Sequence, residues 1–313
     1  MEFFIVSALN GLIYGMLLFM VSAGLTLTFG MMGILNFSHA AFYMLGAYLA
    51  YTISSYTNFW IGILVVPPIV AMLGVVIERY ILRPVHRYGH AHELLVTFGL
   101  VFIFDEFVKL FYGNYPVSYQ VPAALDFPAF SMFGASYPFY KVFIGLVALL
   151  MFLGLYLVLT RTRIGMIVRG AERLPHVAQA LGHNVTGLFT AVFAAGAALA
   201  ALAGAVAGAF YQTNPNMAWE IGIVVFVVVV IGGLGSLGGS FIASVLIGLL
   251  NSFAVGLDWT AGDLMHVVGL GDWVEKVGGF VGIRVSSFAA TIPFLLMLGI
   301  LLVRPAGLMG SKN

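Results

Sequence analysis

Residues 161–184 read RTRIGMIVRGAERLPHVAQALGHN, a polar stretch with four arginines between two long apolar runs, 138–160 and 185–210. A helix crosses the hydrocarbon core of a membrane in about 20 residues. Both flanking runs are long enough to do so, and the segment between them must then leave the bilayer. Its centre, LPHVAQALG, reads as a short helix. Pro175 stands in the first turn, where a missing N–H costs nothing. Gly182 follows as a C-cap, and Asn184 is placed to cap the next apolar helix. Leu, Val and Ala leave this short helix a small apolar face suited to a partner's groove. The alternative is a basic loop that only marks the cytoplasmic side.

The same alternation extends over the whole chain of 313 residues, of which 62% are apolar and 8% charged. A soluble domain carries about 25% charged residues and cannot cover so apolar a chain with polar surface. Disorder requires low hydrophobicity, and a transmembrane β-barrel requires alternation rather than long apolar runs. An all-α polytopic membrane protein remains, with residues 1–313 as a single transmembrane unit. Candidate spans are 3–29, 37–56, 59–82, 93–113, 138–160, 185–210, 219–233, 237–257 and 286–303, about eight or nine helices. The seventh is short and ends in glycines, as a broken or re-entrant helix would. The 38 glycines suit close helix packing. Without cysteine there is no disulfide framework and no thiolate chemistry. A net charge of +1 gives no field that would attract nucleic acid.

Charge placement orients the spans. Arg79, Arg83, Arg87, Arg161, Arg163, Arg169, Arg173, Arg304 and Lys312 fall on one side, against Lys141, Lys276 and Arg284 on the other. The positive-inside rule makes the first group cytoplasmic, with the N-terminus outside and the C-terminus inside. The first apolar run follows Glu2 with no basic region and is too long for a secretory leader, so it reads as a retained span. Residues 114–137, rich in Pro, Tyr and Phe, read as an ordered outer loop with aromatic anchors. Residues 258–285 hold four acidic residues and Trp273, enough for a short helix lying on the outer surface.

Several polar residues invite a functional reading. Asn36, Ser38 and His39 open the second span, either as helix caps or as the lining of a broken-helix junction on the transport path. Gly233, Gly235 and Ser236, within GGLGSLGG at 232–239, form a similar junction, and a parallel repeat of 1–86 against 212–306 follows from the likeness. Asn10 and Tyr14 are one helical turn apart beside Gly11 and Gly15, facing either a polar path through the bundle or a second chain packed against it. Thr26 lies deeper in the same span and reads with them as lining the path, or as a Thr whose hydroxyl bonds backbone or a neighbouring helix. Asp105 and Lys109 are spaced i, i+4, as an internal ion pair would be, with substrate contact as the alternative. His86, His90 and His92 cluster without a convincing metal geometry, so no metal site is expected. No nucleophile–base constellation stands out, so the chain does not read as an enzyme.

The segments Asn36-Phe37-Ser38-His39, Gly46-Ala47-Tyr48, Glu78-Arg79 with Arg83-Pro84, Arg161-Thr162-Arg163-Ile164-Gly165 and Arg304-Pro305-Ala306-Gly307-Leu308 occur in order along the chain. With Gly170-Ala171-Glu172 followed by Ala178-Gln179-Ala180-Leu181-Gly182, the chain resembles ABC importer permeases, specifically the LivH-type branched-chain amino acid permeases. Ala40 departs from the glycine that many relatives carry there. The resemblance implies the ABC importer permease fold, with 161–184 as a cytosolic coupling loop and 114–137 and 258–285 as periplasmic segments. It implies ATPase coupling through Glu172, Leu174, Pro175, Ala178, Gln179, Ala180, Leu181 and Gly182. It also implies partners: a second homologous permease subunit, two cytosolic ABC ATPases and a periplasmic substrate-binding protein, in the bacterial inner membrane. The chain itself lacks the G-x-x-x-x-G-K-[ST] loop that cradles ATP phosphates, so ATP and Mg belong to the ATPase partners and no cofactor is expected here. The expected function is ATP-driven import of branched-chain or other hydrophobic amino acids by alternating access. Urea, short amides or aromatic acids carried by the same machine, and a stand-alone secondary transporter or channel, are the rival readings.

Overall fold

The structure, a computed structural model, describes residues 2–33, 35–132, 135–257, 260, 263 and 284–310. The surface helix expected within 258–285 falls mostly outside them. The long helices are α1 (Glu2–Met32), α2 (His39–Tyr56), α3 (Phe59–Ile77), α5 (His90–Tyr112), α6 (Phe139–Arg161), α9 (Val185–Ala207), α10 (Met217–Gly232), α11 (Leu237–Gly256) and α12 (Ile292–Val303). Short helices α4 (Arg83–His86), α7 (Arg163–Arg173) and α8 (Pro175–Ala180) connect them, and strands β1 (Pro128–Met132) and β2 (Ala135–Pro138) pair antiparallel. Each of the nine apolar runs overlaps one of the long helices, with ends that differ by a few residues.

Among the described residues, six helices are long and apolar enough to cross a membrane: Glu2–Met32, Phe59–His86, Phe139–Arg161, Val185–Ala207, Leu237–Gly256 and Ser286–Val303. α10 is apolar but has only 16 residues. α3 and α4 join through a π-helical turn, Glu78–Leu82, into one continuous span. The bundle is all-α as expected, and the short hairpin is confined to the outer loop. Its Phe130 and Tyr137 rings stack 5.1 Å apart and Phe127 stacks on Phe139 at 4.5 Å, which gives the outer loop its order.

The bundle is organised around α1 and α9. Between helices in lipid there is no hydrophobic gain, so close packing and hydrogen bonds hold them together. Small residues supply that closeness. A Cβ on Gly15 would lie 2.7 Å from the Ser244 carbonyl oxygen, and one on Gly248 would lie 2.3 Å from that of Gly11, so α1 and α11 touch backbone to backbone. On α9, Ala201 faces Gly46 and Gly204 faces Tyr43 of α2, while Gly196 faces Gly24 of α1. Large side chains fill the remaining volume: Phe19, Phe42, Tyr48, Tyr140 and Phe193 are fully buried. The hydroxyls of Tyr119 and Tyr140 donate to the carbonyls of Ala205 and Val206, tying the outer loop and α6 to the end of α9. Burial pushes the Tyr119 phenol up to about 12.

α1 packs on α11 and α10 packs on α2. If α10 and α11 repeat α1 and α2, this reciprocal pairing is what a two-fold exchange of the repeats produces.

Candidate functional site

The two ends of the bundle differ in chemistry. At one end α1, α3, α6, α10 and α12 finish and α9 begins. Met31, Val168, Ala171, Ala178, Val185 and Val192 form one packed cluster there. This end also carries Arg79, Arg83, Arg87, Arg161, Arg163, Arg169 and Arg304. Glu78, 2% exposed, accepts Arg83 Nη2 at 2.7 Å and Nε at 3.2 Å, and Arg83 also donates to Thr190 at 2.5 Å. The π-helical turn thus locks onto α9. Glu93, also buried, accepts from His86 Nδ1 and, at 3.2 Å, from His90 Nδ1.

The loop 161–184 folds as two helices. α8 is the expected short helix, with Pro175 at its N-terminus and Gly182 beyond its end at φ +87°. α7 precedes it, a helix where the sequence carries only loop signals, begun by the Thr162 hydroxyl accepting from Gly165 N at 3.1 Å. Ala178 turns into the cluster under α8. Leu174 (61%), Val177 (50%) and Leu181 (73%) stay exposed, as do Gln179 and Ala180. Spaced i, i+3 and i+7, the three apolar residues make one stripe on the surface.

Glu172, at the end of α7, meets the two glycine junctions. A Cβ on either Gly30 or Gly235 would stand 3.6 Å from Glu172 Oε1, and one on Gly30 would stand 3.0 Å from Gly235 Cα. The ends of α1 and of the α10–α11 connection therefore abut beneath the loop. A cavity of about 250 Å³ lies there, lined by Thr26, Gly30, Arg169, Glu172 and Gly235. Thr26 and Ser240 hydroxyls lie 2.8 Å apart. Thr26 also donates to the Ser22 carbonyl at 2.8 Å, so its single proton is committed and Ser240 must be the donor between them. Ser236 caps α11 by accepting from Gly239 N at 3.1 Å. Gly233, at φ +97°, faces Gly307 and Gly310 at backbone distance. Leu308 N and Met309 N donate to the carbonyls of Ile231 and Gly232, so the Arg304–Leu308 motif serves to seat the C-terminal segment on α10.

Asn36, Ser38 and His39 are all buried. Asn36 Oδ1 accepts Ser38 N at 3.0 Å and Ser38 Oγ at 2.5 Å, closing the turn, while the Ser38 side chain makes no capping bond to α2. His39 Nε2 is 2.9 Å from the Val21 carbonyl of α1. A carbonyl only accepts, so Nε2 carries the proton. Nδ1 of His39 and Nδ2 of Asn36 have no protein partner among the described residues. A cavity of about 20 Å³ beside them, against Gly222, Val225 and Phe226 of α10, has room for one water.

At the opposite end lies a cavity of about 630 Å³ among α1, α6, α11 and the end of α9. Asn10 and Tyr14 line it. Their neighbours Gly11 and Gly15 face α11 instead, which separates the packing face of this helix from its polar face. Asn10 Oδ1 accepts Lys141 Nζ at 2.6 Å. Lys141 is the site residue the sequence reading missed. It stood there only as one basic residue on the less basic side, although a lysine three residues into an apolar run is itself a signal. Asp105 and Lys109 do pair, at 2.9 Å. Among the described residues no group of three or more His, Asp or Glu is arranged to hold a metal ion.

Residues 7–302 match the protein family described as branched-chain amino acid transport system / permease component. The chain is 26% identical to the high-affinity branched-chain amino acid transport system permease protein BraD of Pseudomonas aeruginosa, covering 97% of this chain and 95% of that one. It is 25% identical to the corresponding LivH of Escherichia coli over 99% and 97% of the two chains. It is 26% identical to a probable branched-chain amino acid transport permease protein LivH of Methanocaldococcus jannaschii over 96% and 91%. No solved structure matches the chain significantly. A multi-pass helical bundle whose sequence matches over almost its full length places the chain in the family of permease components of branched-chain amino acid transport systems.

Proposed function

We propose that this chain is a permease subunit of an ATP-driven importer of branched-chain and other hydrophobic amino acids in the bacterial inner membrane. Its arginine-rich end faces the cytoplasm and its N-terminus the periplasm. The observation that carries this reading is the exposed stripe of Leu174, Val177 and Leu181 on α8, held to the bundle by Ala178 and set in the arginine-rich loop. An apolar stripe on a short helix beside charged loops has little reason to exist unless a groove covers it. Two ABC ATPases supply that groove and bind ATP and Mg. A second permease chain completes the transmembrane path, and a periplasmic binding protein delivers the substrate. When the ATPases close they push α8, and α7 passes the displacement through Glu172 to the junctions at Gly30 and Gly235. Those junctions join α1 and α11, so movement there alternates access between the two cavities. The substrate class follows from the BraD and LivH relatives and from the apolar walls of the bundle.

Co-expression with candidate ABC ATPase subunits from the same genome tests the reading. An ATPase that co-purifies, and leucine uptake in proteoliposomes that depends on ATP and binding protein, support it. Uptake by the isolated chain without ATP or partners would make it a secondary transporter or channel.

A further inference from the structure

The 630 Å³ cavity holds a lysine that no protein acid neutralises among the described residues. Lys141 is half-buried at the start of α6. Its ammonium donates to Asn10 Oδ1 and stands 5.0 Å from the centre of the Tyr137 ring and 5.6 Å from that of Phe210. Lys109, by contrast, has Asp105 and Glu106 within 3.2 Å. An amide oxygen and two ring faces soften the charge of Lys141 without cancelling it. An ammonium has three N–H donors, and Asn10 takes one. A charge partly buried in the wall of a membrane-protein cavity is costly, and such residues mark binding sites when no structural partner accounts for them. Of the other polar groups on the cavity wall, Ser252 Oγ donates to the Ser7 carbonyl and Asn251 Nδ2 donates to that of Ala289, while the uncharged phenols of Tyr14 and Tyr211 also line it. The remaining wall is mostly apolar, with Phe3, Val6, Ile13 and Val255, and Glu2 stands on its rim. A volume of about 630 Å³ lies within the range of about 300–1,000 Å³ that small-molecule sites occupy.

From this we propose that Lys141 and Asn10 form a carboxylate subsite, which receives the α-carboxylate of a zwitterionic amino acid as it enters the permease. The apolar side chain of the substrate lies against Val6 and Ile13, and its ammonium group faces the Glu2 side of the cavity. This inference rests on the importer reading above and sharpens it, because urea and short amides carry no carboxylate for Lys141 to meet.

The test uses the complete assembly in proteoliposomes, with binding protein and ATP, and radiolabelled leucine. Lys141→Gln should lower transport by about tenfold or more, as removal of one partner from a desolvated charge contact does, while Lys141→Arg stays near wild type. Asn10→Asp keeps the size of the side chain and places a carboxylate at the ammonium. It should depress transport as Lys141→Gln does, although the lysine remains. A merely structural Lys141 would be better held by Asn10→Asp and would leave transport intact. In all variants, stimulation of ATP hydrolysis by loaded binding protein should persist. Wild-type transport in both Lys141→Gln and Asn10→Asp overturns the subsite. So does loss of ATPase stimulation alongside transport, which would make Lys141 a docking or assembly residue for the binding protein. If the wild-type assembly moves no branched-chain amino acid, the importer reading fails and takes the subsite with it. Wild-type transport with indifferent variants removes the subsite alone.

Discussion

Trp219 and Lys109 share one oxygen of Asp105: Trp219 Nε1 donates to Oδ2 at 3.2 Å and Lys109 Nζ donates to it at 2.9 Å. Through it the first turn of α10 is fastened to α5, with the Trp219 ring 4.9 Å from Phe102. Lys109→Met leaves a carboxylate that is only 5% exposed without its cation. It should lower stability by about 1–3 kcal/mol, read as thermal unfolding of the purified protein in detergent. Trp219→Phe keeps the ring contact and removes one donor, and should cost about 1 kcal/mol. Asp105→Asn added to Lys109→Met should recover most of the loss, because the uncompensated charge is gone.

Glycine substitutions should separate packing positions from open ones. A Cβ on Gly204 would stand 1.9 Å from the Tyr43 carbonyl oxygen, so Gly204→Ala must push α2 and α9 apart, at about 1–3 kcal/mol. Gly99 in α5 has nothing within 4 Å, and Gly99→Ala should leave the unfolding temperature unchanged or raise it slightly. Size-exclusion profiles and thermal shifts of the two variants, side by side, check the contrast.

Leu181 is 73% exposed, so Leu181→Asp should leave the folded protein intact. If α8 docks an ATPase, this one change should abolish co-purification of the ATPase, as loss of a central apolar anchor does. Unaltered pull-down yields from Leu181→Asp and Leu174→Asp would reject that docking face.

His39 joins α2 to the Val21 carbonyl of α1 and lines the 20 Å³ cavity. His39→Ala should destabilise the bundle by about 1–3 kcal/mol, since it removes a buried donor and leaves space beside Gly24. His39→Gln, which keeps a donor, should restore part of that stability. Uptake assays on a folded His39→Gln variant then decide the transport question: wild-type rates would confine His39 to holding α1 and α2 together.

The long helices were legible because most of the apolar runs approach or exceed the roughly 20 residues that cross a membrane, and Pro175 with Gly182 marked α8 from local chemistry alone. Local signals do not carry the neighbours. Gly11 and Gly248 meet across most of the chain, and no spacing within either run states that pairing. α7 was hidden because its glycines and arginines read as loop, while its amphipathic face acquires meaning only against Met31 and Val185. The hairpin was hidden because Pro128 and Pro138 mask short strands. Gly233 read as a junction on a path, and the structure shows what its bare backbone accommodates: the segment around Gly307 and Gly310. Asn10 was visible as an isolated amide, but its meaning waited for Lys141, 131 residues away.

The Thr26–Ser240 contact offers an experimental handle that the composition leaves unobstructed. The chain has no cysteine, so a Thr26→Cys/Ser240→Cys pair would carry the only thiols in the protein, at positions whose side-chain ends already lie 2.8 Å apart. Oxidation would staple α1 to α11 at their glycine-packed seam, and a reductant would release it. If the two helices travel together as one rigid body during transport, the stapled protein keeps working. If access alternates by parting them, oxidant becomes a reversible brake, and the same two thiols can carry spectroscopic labels that time the stroke.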